Sequence, residues 1–295
     1  MTQARDGSGG VWGDGRGSRS EAPNARAAVR PLERGFAWDA RFFEKNPLFW
    51  PVRRLAQAFV TYADWPAVPE IDAAWADSAG IHFQEQPPKV RRRRRGKRLP
   101  IETGSLYDAR IHLAGWVPTR LRNWHDFLNA LVWATFPAAK KAFHARQHAA
   151  VAARIEDGAR VLPGTRTREM DGLAILDEGG MLLLVEAEHA SRLAEWIDRK
   201  NLDEIRAIIA SGRAAALLFG HALYETLLAT NPAATWAMVT LLPCPAPLPD
   251  AIEDRVRLAD ALLVERIGEA GSFSDPGTFR NLPLDASVLC PGANS

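Results

Sequence analysis

The sequence is short of cysteine. Cys244 and Cys290 are the only two in 295 residues and lie in separate late segments, so neither a disulfide framework nor a cysteine-based zinc site can be built. It also lacks an unbroken apolar run of the ~18 to 20 residues a membrane span needs. The most apolar stretch, from Ile205 to Ala229, is interrupted by Arg206, Arg213, His221 and Glu225. No glycine-rich phosphate loop, no G-x-G-x-x-G opening a helix after a strand, and no G-x-S-x-G nucleophile elbow occurs. Nucleotide binding of those types and covalent hydrolase chemistry therefore have no support. What the chain does have is 47% hydrophobic residues with ten Trp and twelve Phe, enough for a substantial packed interior.

The first thirty residues hold six glycines between Gly7 and Gly17 amid Arg, Ser and Asp, without a hydrophobic period. Such a segment cannot bury enough to offset its ordering entropy. Residues 1–33 are expected to be a disordered arm and residues 34–295 one globular domain. No apolar core like that of a secretory signal opens the chain, and a reducing cytoplasm is the expected compartment, with no membrane partner. From Phe36, six aromatics in fifteen residues suggest a short helix and turn, and the stretch to Asp77 an irregular wrapping region. Lys89 to Arg98 holds eight basic residues and no acidic one against a formal net charge of +2, so the rest of the chain is net acidic. A basic loop over 88–99 is expected. Its run Arg91, Arg92, Arg93, Arg94 and Arg95 suits a nucleic-acid or ribosome-associated binding protein; as a self-repelling solvated loop it needs no partner.

Beyond Ile101, Tyr107 to Leu113 reads as a strand and Gly115 to Thr119 as a turn. Asn123 to Phe136 is a helix stopped by Pro137, followed by a second from Ala138 to about Ile155. Gly172 to Leu176 and Met181 to Glu186, joined by Asp177, Glu178, Gly179 and Gly180, read as a β-hairpin. Ser191 to Ala210 is helical with a break near Asn201, Ala214 to Phe219 a buried strand or helix start, His221 to Ala229 a helix, and Thr235 to Leu242 a strand. The expected fold is α/β or α+β, a single mixed-sheet domain with a central β-hairpin.

The segment NWHDFLNALVWATF, residues 123 to 136, is apolar in nearly every helical direction, as a buried helix is. His125, Asp126 and Asn129 nevertheless fall within a sector of about 100°. Buried polar groups cost roughly 1 to 3 kcal/mol each when unsatisfied, so this wedge requires partners. One reading is a structural polar core in which Asn123 caps the helix and Asp126 complements its dipole. The other makes His125 and Asp126 a base or metal ligand in a pocket, with Arg120 and Arg122 upstream for an anionic group.

PTRLRNWHDFLNALVWATFPAAKKAF, REMDGLAILDEGG and FGHALYETLL together resemble the bacterial domain of unknown function family 3025 over roughly residues 36 to 245. The resemblance groups Arg120, Asn123, Trp124, His125, Asp126 and Asn129 with Arg168, Asp171, Asp177 and Glu178, and with Gly220, His221 and Glu225; it leaves the chemistry open. The family pattern has Arg-Asp where this chain reads Arg168, Glu169, Met170, Asp171, and the arginine run is outside it.

His221 and Glu225 are four apart on one helical face, where a carboxylate can orient an imidazole. If His221 meets His125, a site of two histidines and a carboxylate forms. Asp171 with Glu186 and Glu188 is similar to the metal-binding arrangement of PD-(D/E)xK nucleases, with Glu188 where those have lysine. The leading expectation is a metal-assisted or general acid/base hydrolase acting on a small anionic, phosphorylated substrate. His125, Asp126 and His221 are its catalytic candidates; Arg120, Asn123, Asn129 and Arg168 are candidates for substrate, and Asp171 and Glu225 for a divalent metal.

Overall fold

The computed structural model describes residues 37–86, 104, 106–156, 158–160, 165–229 and 235–291. The arm at 1–33 and the basic loop at 88–99, with Arg91 to Arg95, lie outside the described residues.

The buried helix of the sequence is α4, Trp124–Thr135. Asn123 caps it, its side chain accepting from the Asp126 N–H at 3.0 Å. Phe127, Leu128, Ala130, Leu131, Val132 and Trp133 are each no more than 1% exposed. Full burial of such side chains contributes about 1.5 to 3 kcal/mol for each large one. Pro137 ends α4 and opens α5, Pro137–Ala152. The free N–H groups of Ala138 and Ala139 donate to Asp260, at 3.1 and 2.8 Å, from α10, Ile252–Gly268.

The aromatic segment from Phe36 forms two 3-10 turns over Phe42–Glu44 and Pro47–Phe49, followed by α1, Arg53–Ala56. The expected irregular wrapping gives way to a helix, α2, Val68–Ala79: Glu70 bonds back to the Ala67 N–H at 2.6 Å, and Val68, Ile71 and Trp75 are buried on its helical face. β1, His82–Glu85, pairs in parallel with β2, Trp116–Thr119. Between them Tyr107–Ala114 is helix α3 rather than a strand: the Arg110 N–H donates to the Leu106 carbonyl at 2.9 Å, Gly115 supplies a left-handed C-cap, and the expected turn at 115 to 119 is strand β2.

The principal sheet has the order β4-β3-β5-β6. Its central strand is β3, Gly180–Glu186, buried throughout, which runs antiparallel to β4, Ala214–Leu218, and parallel to β5, Trp236–Cys244. β6, Arg280–Pro283, is antiparallel to β5, and α11, Ala286–Leu289, follows it. The mixed sheet with helices gives the α/β class. The hairpin at 172 to 186 is absent: Arg168–Gly179 is helix α6, and β3 starts directly after it. Four apolar residues in a row fit helix or strand equally. Thr167 caps the segment as a helix, accepting from the Met170 N–H at 3.1 Å, and Leu173 and Leu176, three apart, turn inward. Gly172 permits the crossing, because a Cβ there would stand 2.1 Å from the Phe273 carbonyl oxygen.

β3 and β4 are joined through α7, Ala190–Asp198, and α8, Leu202–Ala210, the latter capped by Asn201 at the expected break. The chain leaves β4 through Phe219 and Gly220 into α9, His221–Leu228. Among the described residues no helix is long and apolar enough to cross a membrane.

Candidate functional site

The antiparallel pairing of Leu218 with Met181 sets the start of α9 beside the α6–β3 junction. The Phe219 and Gly220 N–H groups both donate to the Gly180 carbonyl, at 3.0 and 2.8 Å. Position 220 has no space for a side chain: a Cβ would lie 2.5 Å from Gly180 N and 2.6 Å from Glu178 O. This close approach puts His221 next to Asp177 and Glu178, the last turn of α6. Tyr224 ties α9 down by donating to the Leu218 carbonyl at 2.8 Å. α9 also packs on α4, which brings His125 to the same place.

The result is a connected chain of side chains. His125 Nδ1 is 3.1 Å from Glu225 Oε2, and His125 Nε2 is 3.0 Å from His221 Nε2. His221 Nε2 lies 3.5 Å from Glu178 Oε2, and its Nδ1 is 3.9 Å from Asp177 Oδ2. That Nδ1 is buried and makes no hydrogen bond of normal geometry among the described residues. His221 and Glu225 are buried, whereas the side chains of His125 and Glu178 keep 32% and 47% of their surface, so the cluster is reached from their side.

Charges within it are strongly biased. Burial, helped by Lys140 and His125 and opposed by Asp177, brings the His221 imidazole down to about 3. Burial alone would also lower His125, but the hydrogen bond its Nδ1 donates to Glu225 and the charges of Glu178 and Asp126 outweigh it, and its imidazole is raised. Burial would raise Asp177; Lys140, then His221 and His144, overcome this and hold the carboxyl at about 2. Glu178 is raised by burial and by Asp177 beside it.

Lys140 is the component that motif reading passes over. It is fully buried, its Nζ donating to Asp177 Oδ1 at 2.5 Å and to Asn129 Oδ1 at 2.8 Å, with the Trp133, Phe143 and Phe219 rings at 5.6, 5.8 and 5.9 Å. A signal was available, because Lys140 shares a face of α5 with Phe143, His144 and Gln147, all buried. Asp177 and Glu178 were visible from spacing only as a turn, and were grouped with the histidines by the family resemblance alone.

Of the sequence candidates, His125, His221 and Glu225 meet. Asp126 does not join them, since neighbouring helical residues point about 100° apart. Its carboxylate accepts from Arg120 N at 2.7 Å, Nε at 2.9 Å and a terminal nitrogen at 2.7 Å. Asn123 is occupied as the α4 cap and Asn129 by Lys140. Asp171 sits in the first turn of α6, about 9 Å along the axis from Asp177, and Arg168, paired with Asp275 at 3.4 Å, is about 14 Å away on the same measure. Glu186 and Glu188 lie at the far end of β3, about 20 Å along the strand, so with Asp171 on a helix the nuclease-like arrangement does not assemble. Two groups could hold a metal among the described residues, each with ligand atoms within 4.8 Å of one another: His125, Glu178 and His221, and Glu186, Glu188 and His189. In the second, Arg213 already places a guanidinium nitrogen 3.1 Å from His189 Nε2.

A family model described as Protein of unknown function (DUF3025) matches residues 95–288. The match begins later and runs further than the 36 to 245 suggested by the motifs, and takes in the whole His125–His221 cluster. None of the curated proteins and none of the solved structures compared with the chain matches it.

Proposed function

The chain belongs to this DUF3025 family, and from the site it carries we propose that it is a hydrolase of a small anionic, phosphorylated substrate, with the attacking water activated at the His125–His221 cluster. The observation that carries this reading is the run Glu225–His125–His221, in which a buried carboxylate holds Nδ1 of a partly exposed imidazole at 3.1 Å and turns its Nε2 towards Nε2 of His221, 3.0 Å away. A carboxylate in that position fixes the ring and its tautomer and stabilises positive charge on it. The water gives up a proton at this centre, its oxygen attacks phosphorus, and the ester oxygen leaves with a proton. Arg120 supplies the positive charge for the substrate. Its guanidinium is held flat against Asp126 yet half exposed, and it feels the Glu225 carboxylate. The cytoplasm is the proposed setting, supported by Cys244 and Cys290 being free thiols.

The test is phosphate release from a panel of phosphomonoesters and phosphodiesters by the full chain, His125→Asn and Glu225→Gln. Turnover that falls at least about 100-fold in both variants is expected. No turnover on any ester, or turnover equal in all three proteins, overturns the reading.

A further inference from the structure

The geometry points to a binding site for one divalent transition-metal ion, of the zinc class, formed by Nε2 of His125, Nε2 of His221 and a carboxylate oxygen of Glu178. It deepens the hydrolytic reading, on which it rests for the role of the ion but not for its binding.

The first support is spacing. Ligand atoms about 2.0 to 2.1 Å from a tetrahedral ion are about 3.3 to 3.4 Å from each other. Here the two Nε2 atoms are 3.0 Å apart and Glu178 Oε2 is 3.5 Å from the second of them. Small side-chain rotations bring all three to one ion.

The second is the placement of hydrogens. An ionised carboxylate only accepts, so His125 Nδ1 facing Glu225 carries the hydrogen and Nε2 carries the lone pair. The buried Nδ1 of His221 faces the Asp177 carboxylate at 3.9 Å, where a lone pair would be repelled; with the hydrogen there, Nε2 of His221 has the lone pair too. Two lone pairs then face each other at 3.0 Å beside a third anionic atom. Positive charge between them resolves the arrangement, either as a metal ion or as a shared proton.

Third, each imidazole has a carboxylate behind it, Glu225 for His125 and Asp177 for His221, and Lys140 anchors Asp177. Ligating histidines characteristically have such partners, which fix the ring and raise its basicity as a ligand. Two imidazoles and one carboxylate select zinc, cobalt, iron or manganese over magnesium and calcium, which take oxygen ligands. Three protein ligands leave at least one position for water on the exposed Glu178 and His125 side. A water bound there would lose its proton to solvent near neutral pH, and the hydroxide oxygen would bond to phosphorus as the ester P–O bond breaks and the departing oxygen takes a proton from solvent.

The experiment uses chelator-treated full chain titrated with Co²⁺, followed by its visible absorption, and with Zn²⁺ by calorimetry. One ion per chain is expected. His125→Gln and Glu178→Gln, both at partly exposed positions, should abolish the cobalt spectrum while the far-ultraviolet circular dichroism stays native; Glu225→Gln should weaken binding about 10- to 100-fold. No binding, or binding unchanged in His125→Gln and Glu178→Gln, overturns the inference and leaves a shared proton between the histidines. Hydrolysis that persists without metal but needs Glu225 would separate that failure from failure of the hydrolytic reading. Binding without turnover of any ester separates them the other way.

Discussion

Lys140 and Asp177 form a buried ion pair directly behind the histidine cluster, with Nζ 2.5 Å from Oδ1 and the lysine side chain fully enclosed. Removing one partner of such a pair leaves an uncompensated charge and costs about 3 to 5 kcal/mol. Lys140→Met should therefore lose that much in urea unfolding, and adding Asp177→Leu should restore part of it, because the second change removes the stranded carboxylate. A loss below about 1 kcal/mol in Lys140→Met would mean that water reaches Asp177 and that the pair does not anchor the end of α6.

Gly220 and Gly179 predict opposite results for the same substitution. At Gly220 a methyl group would meet only backbone, at 2.5 to 2.6 Å, so α9 must shift away from α6 and carry His221 from Glu178. Gly220→Ala should cost at least the roughly 1 to 3 kcal/mol typical of overpacking, and should weaken any ligand bound at the cluster. Gly179, in the last turn of α6, has nothing within 4 Å of its would-be Cβ, and Gly179→Ala should be neutral or stabilise by up to about 1 kcal/mol. Thermal unfolding of both variants checks the pair; equal behaviour would contradict the close approach at 220.

Arg120 is half exposed and bound to Asp126, so its ion pair is worth little for stability after solvent screening. Its expected importance is in binding. Arg120→Ala should raise KM for an anionic ester about tenfold, equivalent to about 1.4 kcal/mol, with a smaller change in kcat. Arg120→Lys keeps the charge but not the forked geometry and should recover only part. An unchanged KM in Arg120→Ala would remove this residue from the substrate site.

How far the site was legible follows from which constraints are local. Asn123 as a cap, Pro137 as a stop and the all-round apolar face of α4 are local signals, and the structure has each. The pairing of His221 with Glu225 on one face was also readable, because four residues make about one turn. That His125 would meet them depends on α4 packing against α9 across 96 residues of chain, which no spacing rule carries. The hairpin expectation failed because Leu173 to Leu176 is too short a run to show a period, and the same error turned Asp177 and Glu178 into loop residues. Lys140 stayed hidden because a charge beside a second lysine reads as solvated surface, whereas its helical face is buried.

His144 is buried, stacked on Trp133 with centroids 5.3 Å apart and bonded to Asp108 at 2.9 Å. Burial, with Lys140 nearby, holds its imidazole below the ordinary 6.5 despite Asp108. A depressed histidine in the fold means that the unfolded chain takes up the proton first as pH falls. Its contribution to stability is thus complete above about pH 6.5 and is lost progressively below it. His221, brought down to about 3, acts in the same direction. Stability of the wild-type chain should therefore decline as pH falls below about 6.5, with His144 and His221 each contributing at most about 1.4 kcal/mol per pH unit and the raised His125 partly offsetting them. His144→Gln, which keeps an amide donor for Asp108, should reduce that slope even if it lowers stability at neutral pH. A slope identical to wild type would mean that His144 takes up its proton within the folded protein, and that the contact with Asp108 outweighs burial.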